Sequence, residues 1–322
     1  NLAKVGVEGS NPFARSNFSF INQYLVRRRP LPLSALSGLW ECGGGRPVRH
    51  AGAWTARTFL MKIHLYTKTW NEEALLPFFF RHYDNIVDRY IVYDDGSTDA
   101  TLPILSAHSR VEIRNLTRTK ARSQVLSFQE LNDSMWKESR GQADWVIMTA
   151  PDEHLYHPCG LRLYLWASSK AGATAVPALA FQMLTDVFPD PDEHLAETRR
   201  QGVQLDDYNK LNIFRPDALL ETNFAVGRHT ARPVGKVRYP ARDRVLLFHY
   251  KFLGKEYLRR RYAQLDARRG EIDQTQKWGH QYARPPEELD REFEDLRRRA
   301  IDVRGRSARR LSRRKWWRPE PS

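Results

Sequence analysis

The chain has 322 residues, 41% of them hydrophobic and 11% aromatic, which is enough to bury a sizeable core as one large α/β domain or two small ones. No apolar run approaches the roughly 18 residues that a membrane-spanning helix needs. The first residues also lack the apolar stretch and small-residue cleavage site of a signal peptide. These features argue against an integral membrane protein and predict a cytoplasmic one.

The formal net charge of +14 lies in the two flanks of the chain. Residues 1–60 hold 8 Lys and Arg against 2 Asp and Glu, and residues 255–322 hold 20 against 12, whereas residues 61–254 hold 24 of each. Nucleic-acid binding needs the positive charge on the folded surface that contacts phosphates. The distribution argues against a nucleic-acid partner and favours a solvated tail that could touch the inner face of a membrane.

Residues 1–60 show neither helical nor strand periodicity and are rich in Gly, Pro, Ser and Arg. The stretch Gly6–Ser16, with VEGSNPFARS at its centre, resembles the in-frame translation of the end of a transfer-RNA gene. The interpretation is a spurious or disordered extension, with Met61 as the true start of the protein.

From Met61 onward, short apolar runs alternate with longer helical stretches. The predicted strands are Lys62–Thr67, Tyr90–Tyr93, Val111–Arg114 and Trp145–Met148. The predicted helices are Glu72–Tyr83 with Asn71 as N-cap, one that begins at Asp99, and Ser123–Ser139. This alternation predicts right-handed βαβ units and a mainly parallel sheet flanked by helices, which is the α/β class.

Beyond Gly160 the pattern becomes mixed. Strands are predicted near Thr174–Pro177, Phe181–Leu184, Asn212–Phe214 and Val245–Tyr250, followed by helices near Lys255–Arg268 and Pro286–Ile301. We therefore expect a main domain over residues 61–254, C-terminal helices packed on or beside it over residues 255–308, and a disordered basic tail over residues 309–322.

Polar side chains follow three of the predicted strands at their carboxyl ends, where open α/β sheets bind ligands. These loops are Thr67–Glu73, Asp94–Asp99 and Pro151–His154. Carboxylates there can accept hydrogen bonds from a nucleoside, and a carboxylate such as Asp152 can hold Mg²⁺ or Mn²⁺ together with substrate phosphates. By itself, however, the second loop is equally consistent with a helix N-cap turn.

Several motifs occur together in a fixed order. They are Trp70–Glu73 (WNEE), Tyr93–Asp99 (YDDGSTD), Trp136–Gly141 (WKESRG), Ala143–Ile147 (ADWVI), Asp152–Pro158 (DEHLYHP) and His249–Lys251 (HYK). On these residues the segment from Met61 to about Arg261, roughly 200 residues, resembles family 2 glycosyltransferases, in particular a bacterial subgroup.

The resemblance implies a GT-A fold, which is Rossmann-like, with a nucleoside pocket and a site for Mn²⁺ or Mg²⁺. The residues that would line the nucleoside pocket are Asn71, Glu72, Asp94 and Asp95. Asp152 would be the second Asp of the metal-binding Asp-x-Asp motif, with Glu153 beside it, but Ala150 stands where that motif has its first Asp. The resemblance also suggests that His249 closes the site on the metal or the diphosphate, although a lone His at a strand end is commonly a packed core residue.

The acceptor side is less defined. The segment Gly227–His229 and Lys210 resemble subgroup features whose roles the sequence leaves open. An inverting transfer needs a general base, for which Asp186, Asp206, Asp207 and His229 are candidates; Asp186 is preferred because it follows a predicted strand. His154 and His157 with Asp152 would allow a zinc site, but the surrounding residues favour ordinary packing.

The leading hypothesis is a glycosyltransferase that moves a sugar from a UDP- or GDP-linked donor to a glycan or lipid-linked acceptor, inverting and metal-assisted. One alternative is a catalytically degenerate relative that binds nucleotide sugars as a binding or scaffold protein, for which Ala150 is the discriminating feature. Another is a basic adaptor for membranes or nucleic acid that acts through the C-terminal tail.

Overall fold

The computed structural model describes residues 60–241 and 245–305 of the chain. Within these ranges the strands form where apolar and β-branched runs occur in the sequence. The expectations for the N-terminal extension and the basic tail fall on residues 1–59 and 306–322, outside the described residues. Within the described ranges, no helix is long and apolar enough to cross a bilayer.

The strands are β1 (Ile63–Thr69), β2 (Arg89–Asp94), β3 (Val111–Asn115), β4 (Trp145–Met148), β5 (Glu153–Tyr156), β6 (Ala175–Thr185), β7 (Gln201–Gln204), β8 (Lys210–Phe214), β9 (Leu219–Glu221), β10 (Val234–Gly235), β11 (Val245–Leu253) and β12 (Ile301–Asp302). The α-helices are α1 (Leu76–Tyr83), α2 (Thr101–Ser106), α3 (Gln124–Ser134), α4 (Leu161–Lys170), α5 (Leu195–Thr198), α6 (Lys255–Asp266), α7 (Glu271–Thr275) and α8 (Pro286–Arg299).

The first four strands form a parallel unit in the order β3-β2-β1-β4. The chain moves outward from β1 to β3 on one side and then returns to place β4 on the other side of β1. Such a reversal creates a crevice at the carboxyl ends of the strands, the usual ligand site of doubly wound sheets.

The second half of the sheet is mixed. β8 runs antiparallel between β4 and β6, while β11 runs parallel to β6 and antiparallel to β5. β7 and β12 extend the far edge with antiparallel pairs. The predicted α/β class is confirmed, with a Rossmann-like parallel unit flanked by helices, and the mixed pairing appears in the part of the chain where the alternating pattern ends.

Both faces of the parallel unit are covered, as continuous apolar strands require. Alternate residues of β4 belong to two different core clusters: Trp145 and Ile147 pack on one face, and Val146 and Met148 on the other.

The C-terminal helices pack against the mixed half. On α8, Leu289, Phe293 and Leu296 are buried, which is the spacing of one helical face. They pack with residues of β6, β7 and β11 such as Leu184 and Phe252. β12 follows α8 directly and pairs with β7, so this segment contributes a strand as well as helices.

Helix α1 begins later, and helix α3 ends earlier, than the sequence predicts. Asn71 is not the N-cap of α1, because it adopts a positive φ of 51° and the helix begins only at Leu76. The helix predicted to run to Ser139 ends at Ser134 and is followed by a 3₁₀ turn over Lys137–Ser139. Its N-cap is Ser123, whose hydroxyl accepts the Leu126 N–H at 3.1 Å.

Candidate functional site

Asp94, at the end of β2, shapes the loop that follows it. Its carboxylate accepts the backbone N–H groups of Gly96 and Ser97 at 3.0 and 2.9 Å and the Ser97 hydroxyl at 2.5 Å. Gly96 has a φ of +75°, a backbone conformation that would be strained in a residue with a side chain. Asp94 thus acts as a turn residue in the structure, consistent with the alternative interpretation of this loop.

Asn71 joins the loop after β1 to the loop after β2. Its side-chain oxygen accepts the Thr98 N–H at 2.7 Å, and its own N–H donates to the Ser97 hydroxyl oxygen at 2.9 Å. The two loops that were predicted to hold a nucleoside are therefore fixed to each other.

Asp95 is buried, with 5% of its side chain exposed, and is bound by two arginines. Arg118 donates to both carboxylate oxygens at 3.0 and 2.9 Å, and Arg268 donates to one of them at 2.9 Å. The Arg268 guanidinium also lies over the Trp70 ring, 3.8 Å from its centroid. Asp95 and Trp70 thus form one wall of a cleft, with Arg268 lying between them.

Glu72 forms an ion pair with Arg261 of α6, and its second carboxylate oxygen is buried without a hydrogen-bond partner. Burial raises the pKa of Glu72 to about 8, although Arg261 opposes this rise. Arg261 also donates to the backbone carbonyls of Trp70 and Asn71 at 3.1 and 3.0 Å. Helix α6 therefore closes the side of the cleft next to β1.

Asp152 and His249, 97 residues apart in the sequence, meet with 3.2 Å between the carboxylate Oδ2 and the imidazole Nε2. Gln182 fixes the ring: its amide nitrogen donates to the Met183 and His249 carbonyls, so its amide oxygen accepts from Nδ1 at 2.8 Å. With a proton on Nδ1, Nε2 faces Asp152 either as the N–H of an imidazolium or as a lone pair directed at a shared cation. Burial of Asp152 favours its neutral form, but the neighbouring His249 outweighs that effect and lowers the pKa of the carboxyl.

Glu153 is almost fully buried and bound on several sides. Lys210 forms an ion pair with one carboxylate oxygen, and Arg228 lies 3.4 Å from the other. The Ala150 N–H donates to the same second oxygen at 3.0 Å. Burial alone would raise the pKa of Glu153, but Lys210 and Arg228 hold it well below its usual range.

Lys68 lies near the carboxyl end of β1. Tyr66 pairs with Met148 in the parallel register, so Lys68, two residues further along β1, lies on the Tyr66 face just beyond the end of β4. The Lys68 ammonium donates to the Asn132 side-chain oxygen. Burial, together with Arg228 and Lys210, lowers the pKa of Lys68 well below its usual value.

His229 and His249 both pack against Tyr208, with ring centroids 5.8 and 5.1 Å from the tyrosine ring. Nδ1 of His229 is buried without a hydrogen-bond partner. Burial and the charge of Lys210 lower the pKa of His229 to about 3, so its imidazole is neutral at physiological pH.

The structure does not bring the preferred base, Asp186, into this group of side chains. β6 ends at Thr185, beyond the level of Gln182, so Asp186 lies on an exposed surface where it pairs with Arg297 of α8 at 3.3 Å. Asp206 accepts hydrogen bonds from Gln204 and Asn209 in a short 3₁₀ turn, and Asp207 is exposed.

The zinc interpretation of the histidines is not supported. His154 stacks on His82 with ring centroids 4.5 Å apart, and His157 stacks on Tyr164 at 4.3 Å. Over residues 60–241 and 245–305, no group of three or more His, Cys, Asp or Glu side chains is arranged to hold a metal.

A divalent cation fits this site only in part. Asp152 and His249 offer two ligand atoms close together, while Ala150 offers none. Mg²⁺ and Mn²⁺ are often held by one or two carboxylates with the remaining positions filled by substrate phosphates and water. Asp152 and His249 therefore fit a cation that arrives with a phosphate-bearing substrate.

Comparison with known proteins finds no matching family model and no matching curated protein. Among solved structures, a mycobacterial protein is similar at 18% identity over 43% of this chain and 47% of that chain, with a TM-score of 0.28. Glucosyl-3-phosphoglycerate synthase from Mycobacterium tuberculosis, in complex with Mn²⁺, UDP and glucosyl-3-phosphoglycerate, is similar at 18% identity over 44% and 50%, with a TM-score of 0.26. The same enzyme with phosphoglyceric acid gives 21% identity over 43% and 50%, with a TM-score of 0.27.

The match spans about half the length of these structures. A likeness of this extent establishes no substrate, metal or reaction for this chain, so its function has to be argued from its own residues.

Proposed function

We propose that this protein is a glycosyltransferase that binds a nucleotide-diphosphate sugar in the crevice at the carboxyl ends of β1, β2 and β4. The observation that carries the proposal is the contact between Asp152 and His249, which joins the end of β4 to β11 beside the loops of β1 and β2. The Asp152 charge also contributes to the raised pKa of Glu72, so the two carboxylates lie within electrostatic range of each other. Acidic and basic groups from separate parts of the sheet thus come together at this edge, as a diphosphate donor requires.

The nucleoside belongs, in this proposal, to the part of the cleft formed by Trp70 and Asp95. A tryptophan ring can stack on a base or ribose, and a carboxylate held by Arg118 and Arg268 can accept from a nucleoside donor group. Glu72 closes the same region with Arg261, while Asn71 and Asp94 support it through the loop. A UDP- or GDP-linked donor is proposed from the resemblance of this sequence to family 2 glycosyltransferases.

The diphosphate is assigned to the region of Asp152 and His249. These two residues would hold a Mn²⁺ or Mg²⁺ ion that, when bound with the donor, would neutralise charge on the departing nucleotide. Glu153 positions the turn that carries Asp152, because its carboxylate binds the Ala150 N–H, and Lys210 in turn balances its charge.

The acceptor, a glycan or a lipid-linked sugar in this proposal, would approach from the side of Tyr208 and His229. The unpartnered Nδ1 of a neutral His229 can accept a hydrogen bond from an attacking hydroxyl. We assign His229 this orienting role and no longer propose Asp186 as the base, because its carboxylate faces Arg297.

The test is a thermal-shift comparison of UDP, GDP and their glucose, galactose and mannose conjugates, each with Mn²⁺ and with EDTA. A ligand that binds only the folded state raises the midpoint in proportion to the logarithm of its concentration over Kd. We expect one nucleotide series to raise the midpoint, and Asp152→Asn to remove any part of the shift that needs Mn²⁺. If no nucleotide shifts the midpoint, or if Asp152→Asn leaves a metal-dependent shift unchanged, the proposal fails.

A second candidate, a nucleotide-sugar-binding protein without transferase activity, is favoured by Ala150. It predicts the same thermal shifts as the enzyme. The two are separated by incubating the protein with the donor that binds and measuring release of free nucleotide, with and without acceptor sugars. Nucleotide release above the rate in buffer supports the enzyme, and its absence with every acceptor supports the binding protein.

A further inference from the structure

Two basic side chains contact one buried carboxylate at the start of β5, and a third lies nearby. Lys210 and Arg228 both contact Glu153, and the side chains of Lys210, Arg228 and Glu153 are only 10%, 7% and 2% exposed. Lys68 lies close enough for Lys210, Arg228 and Glu153 all to influence its charge. We call Lys68, Lys210 and Arg228 the basic cluster.

Glu153 does not balance the charge of the basic cluster. It supplies one negative charge against those of Lys210 and Arg228, and the nearby Asp152 is already paired with His249. Another cation, Lys251, packs between two tyrosine rings. Its Nζ lies 5.2 and 4.7 Å from the ring centroids of Tyr262 and Tyr282. Buried charges without partners are destabilising, so this arrangement favours an anionic ligand.

The state of Lys68 supports the same interpretation. Its pKa lies well below the usual value because burial and the other two cations disfavour its charged form. An anion bound among the three side chains would raise the pKa of Lys68 again, so that its amine becomes protonated.

The position of the basic cluster limits which anion it can take. Lys68 lies near the carboxyl end of β1 at the crevice edge of the sheet, and Glu153, which Lys210 and Arg228 contact, holds the turn that carries Asp152. Any phosphate bound near Asp152 and His249 therefore lies beside the cluster. Two phosphates in sequence, as in a diphosphate, could contact both groups at once.

We propose that Lys68, Lys210 and Arg228 form a binding site for a diphosphate group. This site binds the diphosphate without a metal ion. The inference rests on the proposed function, because it assigns to the cluster the diphosphate of the sugar donor. In the transfer, the bond between the anomeric carbon and the β-phosphate oxygen breaks and its electron pair stays on the diphosphate. The acceptor oxygen bonds to that carbon and loses its proton to a base or to water. The cluster stabilises the charge that develops on the diphosphate, at the position where Ala150 provides no metal ligand.

The test is isothermal titration calorimetry of the full-length protein in EDTA with UDP, GDP, UMP, GMP, uridine and inorganic pyrophosphate. The unaltered protein should bind one nucleoside diphosphate at least tenfold more tightly than its monophosphate. Lys68→Met, which keeps the length of the side chain and removes its charge, should abolish that difference and leave the monophosphate affinity unchanged. Lys68→Arg should retain most of it.

Lys170→Met is the matched control. Lys170 is exposed at the end of α4, close to the start of β6 and so at the opposite edge of the sheet. The Lys170→Met variant should bind every ligand as the unaltered protein does. The thermal midpoint of each variant establishes that it is folded.

The outcomes separate the two proposals. If nucleotides bind only with Mn²⁺, or if Lys68→Met keeps the preference for diphosphate in EDTA, the basic cluster is not a diphosphate site although the transferase proposal stands. If pyrophosphate binds in a Lys68-dependent way but no nucleotide or nucleotide sugar binds under any condition, the anion site stands and the transferase proposal fails. If none of these ligands binds with or without Mn²⁺, both fail.

Discussion

The guanidinium of Arg268 lies over the indole ring of Trp70, 3.8 Å from its centroid, and donates to the Asp95 carboxylate at 2.9 Å. One side chain, two residues beyond the end of α6, thereby bridges the loops that follow β1 and β2. The bridge connects the C-terminal helices to the proposed nucleoside region, so stability and nucleotide binding should depend on the same residue.

Arg268→Ala should lower the free energy of unfolding by about 1–3 kcal/mol, because it removes a stacked cation and a partly buried hydrogen bond to a carboxylate. Arg268→Lys should recover only part of the loss, since an ammonium cannot reproduce the planar stack. Urea denaturation measures both. Arg298→Ala is the control, because Arg298 is 72% exposed and its solvent-screened pair with Asp295 should contribute little to stability. A loss for Arg268→Ala no larger than for Arg298→Ala would contradict the bridging role.

Ala150→Asp should change nucleotide binding in opposite directions with and without metal. The new carboxylate would stand in the turn held by Glu153, next to the basic cluster, so it would offset part of the cluster's charge and weaken UDP or GDP binding in EDTA. With Mn²⁺ it would add a ligand near Asp152 and strengthen binding. Calorimetry in both buffers measures the two effects, and Ala171→Asp, at the exposed end of α4, is the control. Equal affinities for Ala150→Asp and the unaltered protein in both buffers would contradict this placement of position 150.

Acidification should destabilise the protein through His82. Burial lowers the pKa of His82 from 6.5 to about 3, so between these values the unfolded chain binds a proton that the folded chain does not. The stabilising contribution is therefore complete above pH 6.5 and declines as the pH falls, by about 1.4 kcal/mol per pH unit for this residue.

His82→Gln tests this expectation. It keeps an N–H donor for the Leu155 carbonyl, which lies 2.9 Å from Nε2, but it cannot titrate. Urea denaturation from pH 7 to pH 4.5 should show a shallower loss of stability in this variant than in the unaltered protein. His280→Gln, at an exposed position, should leave the slope unchanged. If His82→Gln and His280→Gln both lose stability with falling pH as steeply as the unaltered protein, burial of His82 is not the cause of that loss.

Phe293→Ala should detach α8 from the mixed half of the sheet. Phe293 is 2% exposed and packs with Phe252 of β11, so truncation should cost about 3–5 kcal/mol, whereas Phe293→Leu should cost much less. Because α8 supports α6, which carries Arg261, nucleotide affinity should also decrease in the alanine variant. Denaturation and calorimetry on both variants test this coupling. Unchanged affinity in a destabilised Phe293→Ala protein would show that α8 does not support the cleft.

The sequence alone determined the order of the elements and the α/β class. Strands such as Trp145–Met148 are read from local composition, since a run buried on both faces must be apolar throughout. The same local pattern located the polar loops at the strand ends, including Asn71, Asp95 and Asp152. It also left the function of Asp94 open between a ligand and a turn residue, and the structure displays the turn.

Only the tertiary structure decided which partners those residues have. Arg261 lies 189 residues from Glu72, and Lys68 reaches the basic cluster through a strand register that no short-range pattern encodes. Asp186 follows a correctly predicted strand, yet the length of β6 carries it past the cleft to Arg297. Periodicity along the chain fixes which face a residue occupies, whereas the charges that meet across the cleft depend on how strands and helices pack together.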